Sequence, residues 1–150
     1  RFILFLCIFY FAEKWCDKAT DGFTIASLTS VHSSMHPTLG CEAAAGSILN
    51  QPFRYLGSGG QSFAFVSADG KYVLKFFNNH PKPWIFLEKY QSKKIEKIKR
   101  AFTSYELVFK EIPEESGLVF LHLNKTSFGA PTITLIDKLN IAHRLDLNEC

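Results

Sequence analysis

The residues best suited to chemistry in this chain lie between Leu56 and Lys75, in the stretch LGSGGQSFAFVSADGKYVLK. Gly57, Ser58, Gly59 and Gly60 form a run of small residues, and glycine lets a backbone approach a ligand with no Cβ in the way. Amide N–H groups in such a turn can point at the oxygens of an anion. Asp69-Gly70 is a hairpin signal, because both residue types tolerate positive φ. The strand after it carries Lys75, a cation placed to return beside the glycine turn. Turn amides and one ammonium together suit a phosphate-bearing ligand.

These groups need a sheet to position them, and the sequence supplies one. Phe53–Leu56 and Ser62–Ser67 read as two strands around the glycine turn, and Lys71–Phe77 as a third. Within the second strand Phe63 and Phe65 share a face, and on the third Val73 and Lys75 oppose Leu74 and Phe76. His80-Pro81-Lys82-Pro83 stops that strand. From Trp84 to Lys110 the apolar residues Leu87, Ile95, Ile98, Phe102, Tyr105 and Phe109 recur at helical spacing, and Pro113 closes the helix. Gly117–Asn124 and Thr132–Lys138 read as two further strands, joined through Ser127, Gly129 and Pro131. The fold class expected is α+β, a twisted antiparallel sheet of about five strands with one long helix packed on it.

This order resembles the amino-terminal lobe of protein kinases over about Phe53 to Leu139. LGSGGQSFAF is similar to the kinase glycine-rich loop, with Ser62 at the third glycine and Ala64 at the valine that covers the adenine. Tyr72-Val73-Leu74-Lys75 is similar to the strand motif that ends in the phosphate-binding lysine. The resemblance implies that Gly57, Ser58, Gly59 and Gly60 cradle the phosphates of ATP while Lys75 meets the α- and β-phosphates. It further implies that a helix glutamate holds Lys75. Glu88, Glu96 and Glu106 compete for that role, and the apolar neighbours of Glu106 favour it. By the same match Ile136 lines the back of the adenine pocket, and backbone groups of Asp137 and Leu139 meet the base edge.

His143-Arg144-Leu145-Asp146-Leu147-Asn148 is not a kinase catalytic loop, since an extra leucine separates the arginine from the aspartate and no helical lobe precedes it. There is no D-F-G sequence, so no catalytic residue is expected in this chain, and magnesium is expected only in an intact protein with a second lobe. A start at Arg1 and a stop at Cys150 just after an unfinished segment read as a fragment. The alternatives are a non-enzymatic kinase-like module, or an exported α+β interaction domain in which the glycines are turn residues.

Composition sets further bounds. In 150 residues, 21% charged and 47% hydrophobic, there is room for one ordinary domain, and disorder is excluded as its overall state. Fifteen phenylalanines supply large units of apolar area. A net charge of +3 does not imply nucleic acid. Cys7, Cys16, Cys41 and Cys150 have no zinc-type spacing. Cys16 and Cys41 pair if the region is exported, or remain thiols. His32 and His36, in a serine-rich setting before Pro37, do not suggest a metal site.

Residues 1–12 read as a hydrophobic leader, because the apolar run Phe2–Ala12 fits a signal-peptide core or the end of a truncated membrane helix. A full span needs about twenty residues. Residues 13–51 read as a linker with a short helix at Glu42–Leu49, and residues 52–150 as the lobe. The expected location is membrane-associated or exported. Lys82–Arg100 carries seven basic and two acidic residues, a bias that suits a helix lying on an anionic membrane surface.

Overall fold

The structure is a computed structural model that describes residues 2–28, 38–40, 42–78, 88–123 and 132–149. The glycine-turn region folds as expected from its alternation. β2 (Phe53–Ser58), β3 (Ser62–Ser67) and β4 (Val73–Phe77) form an antiparallel meander, joined by β6 (Thr132–Ile136) and β7 (Ala142–Asp146) in a five-stranded sheet ordered β4-β3-β2-β6-β7. The protein is therefore α+β, but the sheet is mixed. β6 lies parallel to β2, with Phe53 opposite Leu135 and Arg54 opposite Ile136. The physical reason is burial: Ile133 and Leu135 are 1% and 0% exposed, and a place between β2 and β7 buries them more fully than a sheet edge would. Beyond β6, residues 142–146, in which no strand was expected, pair antiparallel with it.

The expected fourth strand at Gly117–Asn124 is reduced to β5 (Phe120–Leu121), and it stays outside the main sheet. It pairs instead with β1 (Leu39–Gly40). Gly40 is required there, because a Cβ on it would stand 2.8 Å from the Val119 carbonyl oxygen, at a φ of 108°. The long helix is α3 (Glu88–Glu111), followed by the one-turn α4 (Pro113–Ser116) with Pro113 at its first turn, where the missing N–H is no loss. Of the expected helix, residues 84–87 lie outside the described residues, as do His32, His36, Cys41 and the turn residues Ser127, Gly129 and Pro131. α3 meets the sheet at Phe77, whose ring lies 4.9 Å from that of Phe102 and 6.1 Å from that of Tyr105.

The Asp69-Gly70 hairpin is wider than expected. Ser67 N–H donates to the Tyr72 carbonyl at 2.9 Å, so four residues rather than two form the loop, and only Gly70 has positive φ. Ser67 holds this loop from inside: its hydroxyl donates to Asp69 Oδ1 at 2.6 Å, and its oxygen accepts the Tyr72 amide at 3.0 Å.

Residues 13–51 do more than connect. α1 (Phe2–Thr20) runs through the expected leader boundary and ends where Asp21 enters the left-handed region and Gly22 N–H caps Asp17 at 2.8 Å. A 3-10 turn at Ile25–Ser27 and α2 (Glu42–Leu49) follow, the latter on the range expected from sequence. Phe23, Leu28, Ala45 and Leu49 from this segment are buried in one cluster with Phe53, Phe63, Phe65, Phe76, Ile133, Leu135 and Leu145. Phe23 stands edge-on to Phe63 at 5.5 Å and to Phe65 at 5.4 Å. Lys138 and Tyr55 both bond Asp21, at 2.8 and 3.0 Å, and the Lys138 bond first, then that from Tyr55, lowers the Asp21 pKa.

No helix among the described residues is long and apolar enough to cross a membrane. Cys7 and Cys16 are free and exposed. The packing of Phe23 leads to a direct test. Phe23→Ala should lower stability by about 3–5 kcal/mol, read as a lower urea midpoint with unchanged slope; an unchanged midpoint would show that the sheet does not depend on this cover.

Candidate functional site

Register brings the glycine turn and the lysine together. Gly57 pairs with Ala64, and Ala64 with Lys75, so the three lie in one row across β2, β3 and β4. With about 4.8 Å between neighbouring strands, Lys75 starts about 10 Å from Gly57, within reach of a shared ligand. Leu56 is the extra residue of a bulge between Tyr55 and Gly57. It is 59% exposed.

The turn itself is a tight hairpin. Ser58 pairs with Phe63, and Gly59 N–H donates to the Ser62 carbonyl at 2.8 Å, leaving Gly60 and Gln61 at the apex. Among the described residues no protein acceptor meets the apex amides of Gly60 and Gln61, whereas that of Gly59 is engaged within the loop. None of Gly57, Gly59 and Gly60 has positive φ. A Cβ would meet nothing within 4 Å at Gly57 or Gly60, and only ordinary contact at Gly59. The fold tolerates side chains at all three, so what their absence leaves open is the outer surface of the turn.

Ala64, Val66, Val73, Lys75 and Ile136 share the face opposite the phenylalanine core. Val73 is 51% exposed, while Ala64, Val66 and Ile136 are half-buried. Arg54 and Arg144, both exposed, lie on the same face by register. This is an apolar floor edged by cations. Lys75 is exposed on an edge strand.

The glutamates are placed differently from the expectation. Glu106 is half-buried on α3, and its Oε1 accepts Lys110 Nζ at 2.8 Å. Glu96 pairs with Arg100 at 2.6 Å on the exposed side of the helix. The side chain of Glu88 lies outside the described ones. Among the described residues no carboxylate forms an ion pair with Lys75.

Asp137 and Leu139 are not arranged as a hinge. They form the turn between β6 and β7, in which the Asp137 carbonyl accepts the Asn140 amide at 3.0 Å. The Leu139 amide is taken by Asp137 Oδ1 at 2.8 Å. The same oxygen accepts the Ile141 amide at 2.9 Å, and Oδ2 lies 2.8 Å from His143 Nε2. The side chain of Asp137, missed as the functional part of that residue, thus builds the hairpin; Asp followed by a polar turn was the signal for it. Among the described residues no cluster of His, Cys, Asp and Glu could hold a metal. No known protein family, no characterised protein and no solved structure matches this chain.

Burial raises the Asp137 pKa, but the bonds from His143, Ile141 and Leu139 outweigh it, and the net shift is downward. A depressed folded value gives stability that is present above the unfolded value of about 3.9 and lost as pH falls through the folded one. Asp137→Asn should therefore destabilise the protein at neutral pH by about 1–3 kcal/mol, since buried donors lose a charged acceptor. The variant should also lose less stability than the parent on acidification below pH 4. Chemical denaturation across pH checks both; parallel pH curves for the two proteins would remove Asp137 from the account.

Proposed function

We propose that this chain is a nucleotide-binding, kinase-like amino-terminal lobe that holds the phosphates of ATP between the glycine turn and Lys75 and is not catalytic by itself. The observation that carries this reading is the single cross-strand row Gly57–Ala64–Lys75. Supporting it are the open apex amides and the apolar floor beside the lysine, on which a base can lie. Phosphoryl transfer belongs to this reading only if a second lobe follows in the intact protein, which would also supply the groups that hold magnesium. The unpaired state of Lys75 among the described carboxylates favours the non-enzymatic form of the reading, since an active kinase site holds its lysine with a glutamate.

One wall of a cleft binds weakly. ATP should bind this chain at about millimolar or weaker, about 4 kcal/mol. Lys75→Ala should weaken it about tenfold, as loss of one charged hydrogen bond does, while Lys97→Ala on the exposed side of α3 should leave it unchanged. Amide chemical shifts during an ATP titration report this directly. Shifts absent from residues 57–61 would discard the nucleotide reading and leave an α+β interaction module.

We further propose that the chain associates with a membrane surface through α1. Leu4, Phe5, Leu6, Ile8, Phe9, Tyr10 and Phe11 are each 49–69% exposed, and a helical stretch apolar all round, as the first half of α1 is, needs lipid or protein cover. The exposed cations Lys97, Lys99 and Arg100 of α3 add attraction to anionic lipid. The chain should co-sediment with anionic liposomes, and Phe5→Asp with Phe9→Asp should abolish this; equal pelleting of the variant would exclude α1 as the anchor.

A further inference from the structure

A cavity of about 580 Å³ lies along the outer edge of β4, opposite Ile98 and Phe102 of α3 and Leu121 of β5. Every residue from Lys71 to Phe77 lines it. Successive side chains of a strand point to opposite faces, so only the strand's edge can present such an unbroken run. β4 is an end strand of the sheet, and its ladder with β3 shows which groups face the cavity. Ser67 N–H bonds Tyr72, and Asn78 N–H bonds Gln61. In an antiparallel ladder hydrogen-bonded pairs alternate with non-bonded ones. The bonded residues of β4 are thus Leu74 and Phe76, while Val73, Lys75 and Phe77 turn their N–H and C=O groups outward. Among the described residues nothing accepts from or donates to that outward row.

We propose that β4 is a docking edge for an extended peptide segment of another protein, which adds as a sixth strand. Its chemistry follows from the lining. A residue opposite Lys75 lies on the lysine face, and its neighbours lie on the other face, against Leu49, Leu74, Phe76 and Leu121. The lysines at positions 71 and 75 are the only charged residues lining the cavity among those described. The fitting segment alternates apolar and acidic residues, with an acid opposite Lys75. Main-chain bonds supply affinity and the alternate pockets supply specificity. A second copy of this chain fits less well, because two β4 strands pairing about Lys75 place like charges opposite each other, which is destabilising. The proposal does not rest on nucleotide binding; the two surfaces share Lys75 and Val73.

The test titrates the full chain with an acetylated, amidated Val-Glu-Val-Glu-Val peptide and with its Val-Lys-Val-Lys-Val counterpart. Saturable binding of the glutamate peptide is expected, at least tenfold tighter than the lysine peptide, with the preference reversed by Lys75→Glu. Two N-methylated peptides isolate the mode of binding. Methylation of the amides that face β4 should abolish binding, and methylation of the alternate amides should leave it intact. Equal tolerance of both patterns, equal affinity for both charges, no saturable peptide binding, saturable palmitate binding in its place, or a β4-mediated dimer seen by light scattering without peptide would each overturn the proposal. ATP affinity is measured on the chain without peptide, so this result and the nucleotide result stand or fall separately.

Discussion

The structure depends on covering one apolar face of its sheet. Phe53, Phe63, Phe65, Ile133, Leu135 and Leu145 all project to the same side and are at most 2% exposed. Strands alone cannot hide such a face, and a sheet of this size needs a second layer. Phe23, Leu28, Ala45 and Leu49 provide that layer from the amino-terminal third of the chain. Phe23 is its centre, with edge-on contacts to Phe63 and Phe65 and a ring contact with His143 at 5.8 Å. The bonds from Tyr55 and Lys138 to Asp21 set the entry of this segment over the sheet.

That choice of cover decides what the other face can do. Because the phenylalanine face is closed by the amino-terminal segment, α3 reaches the sheet at Phe77, on the side that carries Lys75. Ala64, Val66 and Val73 are left as an incompletely covered floor, flanked by cations. The parallel pairing of β6 with β2 then leaves β4 as an end strand. Its outward amides and its lysine consequently border the cavity rather than another of the described strands. The proposed nucleotide surface and the proposed docking edge both follow from this single asymmetry.

The meander was legible because its signals are local. Alternation of Phe63 and Phe65 with Ala64 and Val66, the glycine turn, and the Asp69-Gly70 loop each act over a few residues. α2 was legible for the same reason. The width of the Asp69-Gly70 loop was not, since it depends on Ser67 reaching Tyr72 and Asp69 together. The role of residues 13–51 was hidden because scattered small and polar residues carry no period, and Phe23 and Leu28 declare themselves only against the sheet they cover. Asp137 read as a backbone position, whereas its carboxylate organises the β6–β7 turn through amides two and four residues on.

By itself the sequence determined the α+β class, the order of the meander and helix, and the alternation that sets Val73 and Lys75 against Leu74 and Phe76. Those outcomes rest on short-range periodicity and turn chemistry, which act before any long-range contact forms. Only the tertiary structure decided that β6 runs parallel to β2, that residues 120–121 leave the main sheet for Leu39–Gly40, and that Lys75 stands on an edge strand. Each of these depends on which of several apolar strands is most fully buried by the available neighbours. That competition is settled by packing across the whole chain, not by any segment within it.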